Sequence, residues 1–255
     1  MPEIRSFRAA RLPTRALGTH PIGVVTCILT AAGSGQRLGA PTPKALVEID
    51  GVPLVLHAAR RLAASGVVAA IVVTAPPGHN AQIHFALKND NLPLPVLVVD
   101  GGDTRQASVA AGLAVISATE TSVLVHDAAR PFASPELIRR VVATVAAGYS
   151  AVVPGLPVAD TIKQVTPDGL VIATPDRAAL RSIQTPQGFD RAKLVRAHFE
   201  GAGADATDDA GLMEALGEPV VVVPGEEAAM KITTPTDLAV AARFIDPDLT
   251  VEKRP

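Results

Sequence analysis

The sequence predicts an α/β fold of three layers, in which a mostly parallel sheet is covered by helices on both faces and a β-arm protrudes. Short apolar runs rich in β-branched residues alternate with segments of helical pattern, which is typical of buried parallel strands and their crossover helices. The first apolar run ends in a glycine-rich loop. A stretch over about 156–182 instead alternates around the turn Pro167-Asp168-Gly169, and this pattern indicates an antiparallel hairpin.

The first half of the chain alternates strand and helix in order. Apolar runs of strand length between turn formers predict strands over 24–29, 67–74, 95–99 and 123–125. The intervening segments predict helices over 53–65, 81–88 and 107–116, the first of them opened by Pro53 and stopped by Gly66. A short hairpin-like turn is predicted at Asp50-Gly51. Alternation of this kind favours a Rossmann-like arrangement.

The second half of the chain is less regular. Ser134 as N-cap and Pro135 at the first helical position predict a helix that runs to about 147. Beyond it we expect strands over 151–154 and 219–223, an apolar strand end over 230–233, and helices over 193–199, 208–216 and 236–244. The hairpin is expected to leave the body and meet a partner, because its apolar edges would otherwise be exposed.

Composition limits the classes of function. The chain of 255 residues has a net charge of −2 and only 3% aromatic residues, which argues against a nucleic-acid-binding protein. No apolar run is long enough to span a bilayer. A single cysteine, Cys27, rules out a disulfide within the chain and suits a reducing cytoplasm. Residues 1–23 are Arg-rich and lack a secretory apolar region, so we expect a flexible tail, with a transit peptide as the alternative, before one domain over 24–255.

The loop after the first strand suggests a triphosphate site. Gly33, Gly35 and Gly39 allow close backbone approach to a ligand, and consecutive amides can hold phosphate oxygens. Arg37 and Lys44 add two cations to the same loop. The glycine spacing matches neither the P-loop nor the dinucleotide fingerprint, so a tight turn with two solvated cations is the alternative that the loop alone leaves open.

Three further segments carry candidate chemistry. The turn Gly101-Gly102-Asp103 directly follows the third strand, and His126-Asp127 ends the fourth. Adjacent residues of an extended segment point to opposite faces, so a His–Asp catalytic dyad is not expected, whereas Asp127 is a credible ligand of a metal or substrate. Lys231 follows an apolar residue, and because lysine is rarely buried without a partner, we expect it to face a phosphate.

These motifs resemble those of one known family. The string A-A-G-S-G-x-R-L-G followed by P-K, and the string H-D-A-A-R-P, are similar to signatures of the 2-C-methyl-D-erythritol 4-phosphate cytidylyltransferases of the non-mevalonate isoprenoid pathway. The resemblance covers about 24–244. It departs at Thr30, where the family commonly has proline, and at Ala45, where glutamine often follows the lysine. The resemblance implies cytidylyl transfer from CTP to methylerythritol phosphate with Mg²⁺, by a cytoplasmic homodimer joined through the arm.

The resemblance also implies roles for individual residues. The expected catalytic residues are Arg37, Lys44 and Lys231. The expected CTP-binding residues are Ala31, Ala32, Gly33, Gly35, Gly102, Asp103, Ser108 and Ala128. The expected ligands of the sugar-alcohol phosphate are Asp127, Arg130, Thr161, Arg177, Thr185 and Thr207, with Asp127 also holding the metal and the arm residues acting across the dimer.

Two other functions remain open at this point. A ribitol 5-phosphate cytidylyltransferase would share the fold and the glycine-rich loop and differ only in the acceptor pocket. A nucleotide-binding protein without catalysis is the second alternative, although the four charged residues Arg37, Lys44, Asp127 and Lys231 argue against it. A dinucleotide-dependent oxidoreductase is disfavoured, because the loop spacing is wrong and the second strand ends in Thr74-Ala75-Pro76 rather than in an acidic residue.

Overall fold

A mixed, mostly parallel eight-stranded sheet forms the centre of the molecule. The structure is a computed structural model and describes residues 25–33, 35–40, 42–88, 90–202 and 206–245. The expected tail over 1–23 lies outside these ranges. In the described ranges no helix is long and apolar enough to cross a membrane.

The sheet is built from strands spread along the whole chain. Its parallel strands are β1 (Val25–Thr30), β4 (Val68–Ala75), β5 (Val96–Asp100), β6 (Ser122–Asp127), β7 (Ala151–Pro157) and β12 (Val220–Pro224). Two strands run antiparallel to them, β10 (Arg181–Ile183) and β11 (Gln187–Asp190). Outside this sheet there are two small hairpins, formed by β2 (Glu48–Ile49) with β3 (Val52–Pro53) and by β8 (Gln164–Val165) with β9 (Val171–Ala173). In the sheet, β10 and β12 both pair with β7, and β11, β6, β1, β4 and β5 follow β7 in that order.

Helices cover both faces of the sheet, as predicted. They are α1 (Leu54–Ala64), α2 (Asn80–Lys88), α3 (Arg105–Val115), α4 (Pro135–Ala146), α5 (Arg191–Glu200), α6 (Asp209–Ala215) and α7 (Pro235–Ala241). Side chains of α1, α2 and α4 share one core with Cys27 and Leu29 of β1, while side chains of α3, α5 and α6 share a second core with Ile28 of the same strand. Because successive side chains of β1 point to opposite faces of the sheet, this strand contributes to both cores.

Local signals in the sequence located most helices. The hydroxyl of Ser134 accepts a hydrogen bond from the backbone N–H of Leu137 at 3.1 Å, which caps α4 as predicted. Gly112 on α3 packs directly on β1, because an added Cβ would lie 2.7 Å from the Cγ2 atom of Ile28. The small residue thus brings α3 close to the sheet.

Three expectations for the second half were incomplete or wrong. Residues 230–233 do not form a strand; they follow a 3₁₀ turn at Glu227–Ala229, and the backbone N–H of Ile232 donates to the carbonyl of Ala129 at 2.8 Å. The hairpin is present as β8 and β9, but the end of the segment, β10, returns to the main sheet and pairs with β7. Strand β11 was not predicted at all.

Candidate active site

Two cavities meet at the carboxyl ends of the parallel strands, which is where open α/β sheets bind ligands. The first cavity, of about 310 Å³, lies between the loops that follow β1, β5 and β6. Most residues expected to bind CTP line it: Ala31, Ala32, Gly33, Gly102, Asp103, Ser108 and Ala128. Gly35, the remaining member of that set, lies in the adjoining loop rather than in the cavity wall.

Gly35 brings the glycine-rich loop against Lys44. Its φ angle of 64° is in the left-handed region, and an added Cβ would lie 2.8 Å from the Cβ of Lys44. The side chain of Lys44 lines the first cavity. Arg37 is exposed on a 3₁₀ turn that follows Gly35, and it is absent from the described walls of both cavities. The loop therefore delivers one of its two cations directly to the first cavity.

Lys44 lies close to other cations in the first cavity. Within the described ranges it forms no ion pair. Burial, together with the charge of nearby Lys231, lowers the pKa of its ammonium to about 8, and the charge of Asp127 opposes this shift in part. Such a group gains from an incoming phosphate, which would supply the missing negative charge.

The turn at the far side of the first cavity is shaped by Ser108. Its hydroxyl donates to the carbonyl of Thr104 at 2.9 Å and accepts from the backbone N–H of Gly102 at 3.1 Å. Gly101 and Gly102 leave no space for side chains, since a Cβ on Gly102 would lie 2.4 Å from that of Ala107. Asp103 is exposed at the tip of this turn.

Asp127, at the end of β6, is the centre of the charged network. Its Oδ2 atom lies 2.8 Å from the Nζ of Lys231, and its Oδ1 accepts from Arg105 at 3.3 Å and from the hydroxyl of Thr30 at 3.2 Å. Arg130 lies 4.0 Å from Oδ2. Burial alone would raise the pKa of this carboxyl, but the charges of Arg105, Lys231 and Arg130 hold it well below its usual range, so it is ionised at neutral pH.

The expectation for Lys231 needs a correction. Its side chain is 42% exposed rather than buried, and it lies on a loop rather than at a strand end. The ion pair with Asp127 fixes its ammonium where the two cavities meet, because Lys231 lines both of them.

His126 is held as a structural residue, as expected from its position opposite Asp127. Its Nε2 lies 3.2 Å from the carbonyl of Arg130, and a carbonyl can only accept, so Nε2 carries the proton. Burial lowers the pKa of the imidazole to about 4. The unprotonated Nδ1 therefore accepts from the hydroxyl of Thr185 at 2.8 Å, and the same oxygen accepts from the backbone N–H of Asp127 at 3.0 Å. Thr185 thus fixes the end of β6.

The second cavity, of about 240 Å³, shares Arg105, Asp127 and Lys231 with the first. Among the expected acceptor ligands, it is lined by Asp127, Arg130, Thr185 and Thr207. The guanidinium of Arg130 is anchored by two backbone carbonyls: it donates to that of Ala229 at 2.8 Å and to that of Ile183 at 3.3 Å. Arg130 therefore joins the loop of Lys231 to strand β10.

The two hairpin residues do not join this group within the chain. Thr161 and Arg177 are exposed, and Arg177 donates to the carbonyl of Ala159 at 2.6 Å on its own hairpin. Neither belongs to the described wall of either cavity.

Arg105 and Gln187 belong to the site, although the sequence assigned them no role. Arg105 lines both cavities and binds Asp127 and the buried Asp209, the latter at 2.6 Å. Gln187 lines the second cavity. Arg105 lies close to the turn Gly101-Gly102-Asp103 and Gln187 close to Thr185, both singled out from the sequence, but the pattern of residues does not show which side chains point inward.

A magnesium ion would fit the donor set only as a phosphate-bound ion. No cluster of three or more His, Cys, Asp or Glu side chains that could hold a metal is found in the described ranges. Mg²⁺ usually takes one or two carboxylates and completes its shell with phosphate and water oxygens. Asp127, with a carboxylate in the wall of both cavities, offers that single protein ligand.

A larger cavity lies at the opposite, amino-terminal end of β1 and β6. Its volume is about 430 Å³. The lysine in its wall, Lys193, is already bonded to Ser150 and Glu218, each at 2.7 Å. Because its cation is neutralised and no glycine-rich loop borders it, this cavity lacks the features of a triphosphate site.

Comparison with known proteins gives a consistent result. The family model described as IspD: 2-C-methyl-D-erythritol 4-phosphate cytidylyltransferase matches residues 25–246. A protein of that name from Streptomyces avermitilis is 48% identical over 230 residues, which cover 87% of this chain and 92% of the relative. A second one, from Nocardia farcinica, is 49% identical over 224 residues, covering 88% and 95%. The crystal structure of the cytidylyltransferase from Thermus thermophilus superposes with a TM-score of 0.70 at 38% identity, covering 87% of this chain and 98% of that one.

Proposed function

The chain belongs to the 2-C-methyl-D-erythritol 4-phosphate cytidylyltransferase family, and from that premise we propose how its two cavities share the reaction. The enzyme transfers the cytidylyl group of CTP to 2-C-methyl-D-erythritol 4-phosphate, giving 4-diphosphocytidyl-2-C-methyl-D-erythritol and pyrophosphate. CTP occupies the first cavity and the acceptor the second. The observation that carries this assignment is the common wall of Arg105, Asp127 and Lys231, where the reacting phosphates would meet.

The bond changes are simple. A phosphate oxygen of the acceptor forms a bond to the α-phosphorus of CTP, the bond from that phosphorus to the bridging oxygen breaks, and pyrophosphate leaves with the electron pair. A phosphate monoester has a second pKa of about 6, so the attacking oxygen is already anionic near neutral pH. No general base is needed, which agrees with the neutral, fully bonded His126.

Charge neutralisation is the main task of the protein. Two anionic reactants must approach, and negative charge builds up on the transferring and leaving phosphates. Lys44 and Lys231 contact the α-phosphate, while Arg37 and the amides of Gly33 and Gly35 hold the β- and γ-phosphates. The ion pair with Asp127 supports this assignment for Lys231, because it holds the ammonium at the junction of the cavities.

Asp127 would be the protein ligand of a magnesium ion that is otherwise held by the phosphates of CTP. When bound, the ion neutralises charge on the phosphate oxygens and orients them. Arg105 and Thr30, which bind the Oδ1 atom of Asp127 at 3.3 and 3.2 Å, hold the carboxylate in place for this contact.

The functional unit is a homodimer joined through the β8–β9 hairpin. Apolar side chains of the hairpin are exposed, with Leu170 at 66% and Ile172 at 60%. Burying such side chains against a second copy is favourable. In the dimer, Thr161 and Arg177 of one chain complete the acceptor cavity of its partner, which accounts for their distance from the cavity of their own chain.

We propose methylerythritol phosphate as the acceptor and the cytoplasm as the compartment. The matched family and the relatives named above act on methylerythritol phosphate by name, so we favour that acceptor over ribitol 5-phosphate. The single free cysteine, Cys27, is compatible with a cytoplasmic enzyme.

One set of assays tests the proposal. Pyrophosphate release from CTP is measured with methylerythritol phosphate before and after chelation, while sedimentation reports the oligomeric state. We expect pyrophosphate release to stop on chelation and to return with added Mg²⁺. We expect the active protein to sediment as a dimer. Release that persists without divalent metal would contradict the role of magnesium. Activity in a monomer would contradict the role of the hairpin.

A further inference from the structure

Gln187, a lining residue of the second cavity, carries a buried hydrogen-bond acceptor that has no partner in the described ranges. The residue is the first of β11 and is only 1% exposed. Within the described ranges its buried Oε1 atom has no hydrogen-bond partner. Buried polar atoms in folded proteins are nearly always hydrogen-bonded, so an orphan acceptor at a cavity wall indicates a missing donor.

The orientation of this amide is fixed by its other end. The Nε2 atom of Gln187 donates to the Oδ2 of Asp208 at 2.8 Å. The Oδ1 of the same carboxylate accepts from the backbone N–H of Gly211 at 2.9 Å, as the N-cap of α6. A flipped amide would set its carbonyl against the carboxylate, so Oε1 is the atom that remains free.

A donor without a partner lies in the same wall. The guanidinium of Arg105 binds Asp209 through Nη1 and Asp127 through Nε, whereas its buried Nη2 has no partner in the described ranges. Arg105 and Gln187 both line the second cavity. A phosphate oxygen would satisfy only the donor, because an ionised phosphate has no proton to offer to Oε1. A hydroxyl group both donates and accepts and so matches the pair.

We propose that Gln187, assisted by Arg105, recognises one alcohol hydroxyl of the acceptor and makes the second cavity selective for a polyhydroxy phosphate. This inference rests on the cytidylyl transfer assigned above. A site built to bind a hydroxyl rejects an analogue that lacks it, because its own polar groups are then left unpaired. A cavity that contacted only the phosphate group would accept many phosphate monoesters.

The first experiment uses a matched pair of variants, Gln187→Met and Gln106→Met. Gln106 also donates one side-chain hydrogen bond, from Nε2 to the carbonyl of Gly201 at 2.8 Å, but it lines neither cavity in the described ranges. We expect Gln187→Met to lower kcat/KM for methylerythritol phosphate by about tenfold. The KM for CTP should not change, and Gln106→Met should leave both constants unchanged.

The second experiment uses the unmodified enzyme, so it does not depend on the folding of a variant. Analogues of methylerythritol phosphate, each lacking a different hydroxyl, are compared with the parent acceptor. One of them should lose about tenfold or more in kcat/KM in the wild type and lose nothing further in Gln187→Met. If every deoxy analogue reacts as well as the parent, or if the penalty is the same in both enzymes, the inference is wrong. A wild type that fails to use the parent acceptor would instead contradict the assigned activity.

Discussion

The Nζ atom of Lys231 lies 2.8 Å from the Oδ2 atom of Asp127, so the end of β6 sets the position of a lysine that comes from a distant loop. The same carboxylate also binds Arg105, which extends the contact to the buried Asp209. Asp127 therefore organises cations on both cavity walls. Its role in the account is to position these cations and to meet the metal, and each role can be tested.

Asp127→Asn should lower kcat by about 10²-fold, because the cations lose the anion that aligns them. Asp90→Asn is the matched control: that carboxylate is equally buried and accepts from the Nε of Arg60 at 2.8 Å, but it belongs to the described wall of neither cavity. Both variants should lose thermal stability, and only Asp127→Asn should lose rate. Equal kcat values in steady-state assays of the two variants would show that Asp127 has only a structural role.

Lys44→Ala should reduce kcat by about 10²–10³-fold and change KM for CTP far less. The reason is that contacts made mainly in the transition state act on the rate rather than on ground-state binding. Steady-state kinetics with CTP as the varied substrate measure both constants. A variant with normal kcat and weaker CTP binding would take Lys44 off the list of catalytic residues.

The pH dependence of kcat/KM for CTP should show the titration of Lys44 in the free enzyme. Its pKa is lowered to about 8, so the cationic form that binds phosphate is lost as the pH rises through that value. We expect kcat/KM for CTP to be constant below that pKa and to fall above it. Lys44→Arg keeps its charge in this range and should abolish the fall.

Stability should respond to the same titration in the opposite direction. The folded state disfavours the charged form of Lys44, so this penalty is fully present below pH 8 and fades as the pH rises toward the unfolded pKa of about 10.4.

For the kinetic prediction, a pH profile of kcat/KM that is identical in wild type and Lys44→Arg would show that the fall belongs to another group.

Ile172→Asp should convert the proposed dimer to a monomer, because a charge replaces an apolar side chain that is 60% exposed on the hairpin. Phe199→Asp is the control, since Phe199 is 83% exposed on α5, outside the hairpin. Analytical ultracentrifugation separates the outcomes. The hairpin is not the interface if Ile172→Asp remains dimeric, or if only Phe199→Asp dissociates.

Arg177→Ala should raise KM for methylerythritol phosphate and leave KM for CTP unchanged, if the hairpin acts on the partner's cavity. Mixed dimers of Arg177→Ala with Lys231→Ala should then regain part of the lost activity, because one of the two sites has both residues. Verified heterodimers that stay as inactive as either parent would contradict action across the interface.

Local signals in the sequence were sufficient for most of the fold. The Ser134 cap, the β-branched run of β1 and the Asp50-Gly51 turn each act over a few residues, and the structure has the corresponding elements. Strand β11 has no such signal: its short sequence becomes a strand only because β6 and β7 offer edges on both sides. The loop that carries Lys231 was mistaken for a strand end for the same reason, since its conformation depends on Ala129 and Asp127.

The candidate site was predictable where a motif and a cavity coincide. The residues around Gly33, Gly102 and Ala128 line one cavity, the grouping that the resemblance to the family implied. Arg105 and Gln187 could not be assigned, because their roles depend on which nitrogen or oxygen is left without a partner after folding. The placement of Thr161 and Arg177 depends on a second copy and stays a prediction.

The most direct test of the account is pyrophosphate release from CTP and Mg²⁺ with methylerythritol 4-phosphate and ribitol 5-phosphate offered separately. We expect release with methylerythritol phosphate and little or none with ribitol phosphate. Release with ribitol phosphate alone would contradict the acceptor assigned to the second cavity. Release with neither, from protein that binds CTP, would contradict catalysis by the cluster of Lys44, Asp127 and Lys231.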